Sequence, residues 1–186
     1  MPLQRESTGL KLQLGEKAPY FSLKGTDGKI HSIADYTAVK ALVVVFTCNH
    51  CPYAQSYENR LCSLARQYQP LGAHFVAICS NDAVGFPEDD FTRMVEKSQK
   101  LNLPYPYLQD ETQAVAKAYD AACTPEVYVF DRDHRLQYHG RVDDNYQDAA
   151  QVKSHDLKNA IEAVLAGEQP AAQLTPAMGC SIKWKR

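Results

Sequence analysis

Apolar residues in this chain gather in short continuous runs, separated by stretches at helical spacing. Residues 40–47 (KALVVVFT) and 74–79 (HFVAIC) are apolar without alternation, as strands buried on both faces are. Between them, residues 52–69 repeat at helical period, with Tyr53, Tyr57, Leu61, Leu64 and Tyr68 on one stripe. Pro52 suits the first turn of that helix, where its missing N–H would have no partner. Two short runs, 20–23 and 30–33, flank the turn Thr26-Asp27-Gly28-Lys29 and predict a hairpin. Residues 88–101 read as a helix. Residues 103–108, broken by Pro104 and Pro106, read as a short peripheral strand. Asp110 and Gln113 match a capping box that opens a helix to about Tyr119. Residues 126–130 and 136–139 predict a strand pair. Leu157, Ile161, Val164 and Leu165 mark a last helix, ended by Gly167.

This order of elements predicts an α/β fold whose mixed central sheet is covered by helices on both faces. With 186 residues and neither a repeat nor a low-complexity tract, the chain reads as one domain over 14–167. A loose leader (1–13) precedes it, and an extended tail (168–186) follows. Apolar residues at 45% and charged residues at 23% supply an ordinary core, so neither metal nor disulfide is needed to hold the fold. The formal charge of −2, with both signs interspersed, lacks the basic stripe of a nucleic-acid binder and gives no membrane-surface signal. No signal-peptide pattern and no membrane-length apolar run is present, so the expected setting is cytoplasmic. Thiols are kept reduced there, and the six cysteines read as catalytic or inert.

The chemistry centres on Cys48-Asn49-His50-Cys51-Pro52, where a buried strand hands over to a helix. Free N–H groups and a positive partial charge at a helix start favour thiolate over thiol. Cys48 is the expected nucleophile on this reading, and Cys51, one turn on, the residue that resolves a mixed disulfide. His50 is placed to add a cation beside the Cys48 thiolate. A CxxC pair can also be half of a zinc site, but Cys62, Cys79, Cys123 and Cys180 are isolated singles and no metal is predicted.

Residues 43–52 resemble the thioredoxin active-site segment, and Thr124-Pro125 ahead of a strand resembles that superfamily's cis-proline loop. The opening Gly15-x-x-Ala18-Pro19-x-Phe21-x-Leu23 is similar to the start of peroxiredoxin (AhpC/TSA) domains. Residues 48–53 (CNHCPY), 123–125 (CTP) and 179–184 (GCSIKW) together resemble the bacterial peroxiredoxin-like group of thioredoxin-family proteins. This implies a thioredoxin-like fold and a thiol–disulfide oxidoreductase that needs no cofactor, with Cys48 and Cys51 catalytic. Asn49, His50, Pro52, Thr124 and Pro125 would support them. The implied partners are a disulfide or oxidised-sulfur substrate and a reducing donor. The peroxidase signature Pro-x-x-x-Thr-x-x-Cys fits neither cysteine: Val44 and Cys48 precede Cys51, and Ala41 and Val45 precede Cys48. Leu42 stands where thioredoxins carry a buried Asp. An atypical thiol peroxidase and a non-catalytic thiolate metal-binding module are the alternatives.

Among the other cysteines, Cys62 and Cys79 read as core, and Cys123 as packing near the proline loop. Cys180, in a tail anchored by Ile182 and Trp184, is a candidate additional redox thiol, expected to pair with Cys48, and Cys123, beside the proline loop, is the other. The acidic stretch 82–90 reads as a solvated surface.

Overall fold

The computed structural model describes residues 2–6 and 9–186. Its elements run β1 (Pro2–Arg5), β2 (Ser22–Gly25), β3 (Ile30–Ser32), β4 (Ala41–Phe46), α1 (Pro52–Tyr68), β5 (Ala73–Cys79) and α2 (Phe91–Leu101). Then follow β6 (Tyr107–Gln109), α3 (Ala114–Tyr119), β7 (Cys123–Thr124), β8 (Glu126–Asp131), β9 (Leu136–Gly140), α4 (Asp156–Leu165) and β10 (Ala177–Ser181).

Seven strands form the main sheet in the order β3-β2-β6-β5-β4-β8-β9. β4 pairs in parallel with β5 and antiparallel with β8, and every residue of β4 is buried. Successive side chains on a strand point to opposite faces, so β4 feeds two cores. Leu42, Val44 and Phe46 join Phe21, Tyr119, Tyr128 and Phe130 on the α3 face. Ala41, Val43 and Val45 join Tyr57, Leu61, Leu157 and Ile161 from α1 and α4 on the other. Burial on both faces is why the strand reads as a continuous apolar run.

The structure corrects three expectations. The leader is not loose throughout, because β1 pairs antiparallel with β10 from the tail, which in turn pairs with β7. β6 is short but not peripheral. It lies between β2 and β5, and Pro104 and Pro106 precede it rather than interrupt it. Asp110 and Gln113 do not form a capping box. Gln113 stands at the N-cap with φ 63°, and its amide donates to the carbonyls of Ser80 and Lys183. Asp110 instead accepts from the Val115 and Ala116 N–H groups. Among the described residues, no helix is long and apolar enough to cross a membrane.

Candidate active site

Helix α1 begins at Pro52, so its N-cap is Cys51. Cys48 lies three residues earlier, in the loop that leaves β4. This reverses the expected placement, since Cys51 receives the field of the helix start and its unpaired N–H groups. Both thiols are interior, with Cys48 1% and Cys51 0% exposed. Thr124, whose bond to Pro125 is cis, touches both: its hydroxyl lies 3.4 Å from Cys48 Sγ and its carbonyl 3.2 Å from Cys51 Sγ.

Electrostatics separate the pair in the same direction. The Cys48 thiol's hydrogen bond holds Cys51 well below its ordinary value, against the effect of burial. The Cys180 thiol, the Ala54 N–H and the Thr124 hydroxyl add to this. Cys48 is pushed up by that same bond, by burial and by the Asp89 carboxylate. Cys51 is therefore the more acidic thiol of the pair. Beside Cys48, with one ring nitrogen within 4.8 Å of its Sγ, stands His50. Its ring stacks on Phe86 at 5.5 Å, and its Nδ1 meets Asp89 Oδ2 at 2.5 Å. A carboxylate only accepts, so Nδ1 carries the proton.

Asp89 sits in the stretch expected to be solvated, yet it is 1% exposed. Oδ1 accepts from the Asn49 and His50 N–H groups at 2.6 and 3.3 Å, and Oδ2 from the Asn81 amide at 2.7 Å as well as from His50. One donor atom each from Cys48, His50 and Asp89 lies within 4.8 Å of the others, a ligand set in composition. The carboxylate's oxygens are occupied by four N–H donors, so the cluster works as a clamp on the loop.

Asn49 completes that clamp. Its amide donates to the Glu88 carbonyl and accepts from the Tyr107 hydroxyl, while its carbonyl accepts from Gln55 and Lys97. The proline loop is held by a second buried carboxylate, Glu126. It accepts from the N–H groups of Ala122 and Cys123, from the Tyr128 hydroxyl and from His139 Nε2 at 2.6 Å. Cys123 packs there, fully buried, with its thiol raised by burial and by Glu126. Cys62 and Cys79 are buried as expected.

Cys180 lies in β10, opposite Thr124 in register, and packs against the cluster that holds Cys48 and Cys51. A cleft of about 200 Å³ opens beside Pro125, lined among others by Tyr57, Arg141, Asp143, Tyr146 and Met178. The sequence missed Asp89, Asn81, Lys97, Glu126 and His139. The N-cap place of Cys51 did have a local signal, since a proline at the first helical position makes the preceding residue the N-cap.

The sequence profile of the AhpC/TSA family matches residues 14–139. An uncharacterized conserved protein from Geobacillus kaustophilus is similar at 41% identity and TM-score 0.91, over 100% of this chain and 97% of that one. A hypothetical protein from Sinorhizobium meliloti 1021 is similar at 37% identity and TM-score 0.90, over 98% of each. A peroxidoxin from Mycobacterium tuberculosis, at 16% identity and TM-score 0.58 over 83% of this chain and 95% of that one, shares the fold alone. The fold is thioredoxin-like, as the sequence implied. No curated protein matches the chain.

Proposed function

The chain belongs to the AhpC/TSA family, whose fold and thiol site support a redox function, and on that footing we propose that it is a thiol–disulfide oxidoreductase with Cys51 as the attacking thiolate and Cys48 as its resolving partner. The observation that carries this reading is the placement of Cys51 at the N-cap of α1, with Cys48 three residues earlier and Thr124 touching both thiols. Cys51 Sγ attacks one sulfur of a substrate disulfide, forming a mixed disulfide and expelling a thiolate. Cys48 Sγ then attacks Cys51 Sγ, and the second substrate thiolate leaves with the Cys48 proton. Two substrate thiols and a Cys48–Cys51 disulfide result, which a cytosolic thiol donor reduces.

Disulfide-reductase turnover of the two serine variants tests this. Cys51→Ser should abolish it, whereas Cys48→Ser should stall with Cys51 held in a disulfide. An adduct trapped on Cys48 in Cys51→Ser, with turnover retained, would overturn the order of roles. Family membership favours thiol peroxidase as the second reading, with peroxide oxidising Cys51. Against it, Cys48 fills the position where that chemistry uses a Thr hydroxyl. Coupled peroxide consumption separates the two.

A further inference from the structure

We propose that Cys180 is a third redox-active thiol of this site, the one through which an external disulfide exchanges with the buried Cys48–Cys51 pair. This rests on the reading of that pair given above. The first argument is access. Cys48 and Cys51 are closed to solvent, while Cys180 is only partly buried. An outside sulfur meets Cys180 before it can meet the other two.

The second argument is that the contact is built into the fold. β10 is a middle strand, hydrogen-bonded to β1 on one edge and to β7 on the other. The Ile182 N–H donates to the Ala122 carbonyl at 2.9 Å, and the Lys183 N–H to Asn81 Oδ1 at 2.9 Å. Gly179 lies so close to β7 that any Cβ there would collide with the Thr124 carbonyl. The strand therefore has one seating, opposite the Thr124 that touches both thiols, and that seating packs Cys180 against the Cys48–Cys51 pair.

A third argument links Cys180 to the cleft. Met178 lines it, and residues two apart on a strand share a face, so Cys180 projects on the cleft side of β10. The substrate class follows from what β10 occupies. An extended peptide could add to a sheet through a free backbone edge. Beside Pro125, β10 already fills that edge of β7. The site suits a small-molecule disulfide, or one carried on an exposed loop, that enters by its sulfur alone.

The exchange conserves atoms and electrons. Cys180 Sγ attacks R–S–S–R′, giving Cys180–S–S–R, and R′–S⁻ leaves with the Cys180 proton. Cys51 thiolate attacks Cys180 Sγ and expels R–S⁻, leaving a Cys51–Cys180 disulfide. Cys48 Sγ then attacks Cys51 Sγ, and its proton passes to the released Cys180. The two electrons lost by Cys48 and Cys51 reside in the two substrate thiols.

Reduced Cys48→Ser protein, treated with one equivalent of oxidised glutathione and digested without reduction, should yield a Cys51–Cys180 peptide. A glutathione adduct on either cysteine, with the other thiol free, overturns the proposal. A rate comparison forms the second arm, on wild type and a Cys180→Ser variant whose circular dichroism matches it. Formation of the Cys48–Cys51 disulfide by oxidised glutathione should slow by about tenfold or more. An unchanged rate overturns the port while leaving the oxidoreductase intact. Failure of wild type to form the Cys48–Cys51 bond refutes the reading of the pair, and this proposal with it.

Discussion

Replacing Asp89 by Asn changes one oxygen into an amide nitrogen and tests the clamp on the catalytic loop. The remaining carbonyl oxygen can still accept from the Asn49 and His50 N–H groups. The new NH₂ faces two donors, the Asn81 amide and His50 Nδ1–H. Asn81 cannot turn to offer its own oxygen without losing the Lys183 N–H, which that oxygen accepts at 2.9 Å. Two hydrogen bonds to a charged acceptor are lost at a site 1% exposed. At about 1.5 kcal/mol each, the lower end for such bonds, the loss is about 3 kcal/mol. Asp89→Ala leaves all four donors unpaired and should exceed this, toward about 4–5 kcal/mol. In urea, with a slope of about 2 kcal/mol per M, Asp89→Asn should lower the midpoint by about 1.5 M at unchanged slope. Reductant keeps disulfides out of the comparison. A shift under about 0.5 M would show that the carboxylate is dispensable and refute the clamp.

Thiolate absorbance on titrating the reduced protein should show one thiol ionising well below the ordinary value near 8.5. That step should vanish in Cys51→Ser and move up in Cys48→Ala, which removes the neighbouring thiol that lowers it most; survival in Cys51→Ser would give the thiolate to another cysteine. Gly179→Ala forces a Cβ against the Thr124 carbonyl and should cost about 1–3 kcal/mol, with faster hydrogen exchange in β10 and β1; unchanged exchange would mean that β10 is not tightly seated. Burial raises the Glu126 carboxyl, but His139 and the Ala122 and Cys123 N–H groups prevail and hold it below its usual value. Its folded pKa is thus depressed, so this stability is fully present above the unfolded value of about 4.3 and is lost as pH falls below it. Glu126→Gln should flatten that acid limb of the unfolding curve; an unchanged limb would count against it.

Local signals carried most of the fold and half of the site. The run over β4, the period of α1 and the hairpin turn each encode their element within a few residues, and all three form. Cys48, Cys51, Thr124 and Pro125 were legible because a strand–CxxC–helix junction and a Thr-Pro ahead of a strand are short patterns. Asp89 was not, because its partners Asn49 and His50 lie 40 and 39 residues away and its neighbours Glu88 and Asp90 look like surface. Glu126 and His139 sit on adjacent strands, and their pairing exists only once the register is set. The helix start was read correctly at Pro52, but the field at that start was assigned to Cys48 rather than to the adjacent Cys51.

Pairing β1 with β10 joins residues near opposite ends of the chain, with Pro2 opposite Cys180. Closing so large a loop is entropically costly and is compensated only by contacts that form once the rest of the sheet exists. This small sheet should therefore assemble late and open early, by a sub-global unfolding that leaves the seven-stranded sheet intact. On a ribosome the order is the same, since Cys48 and Cys51 emerge and can fold before β10 follows. For that interval the thiol pair stands uncovered, and its oxidation state is set by its surroundings rather than by Cys180.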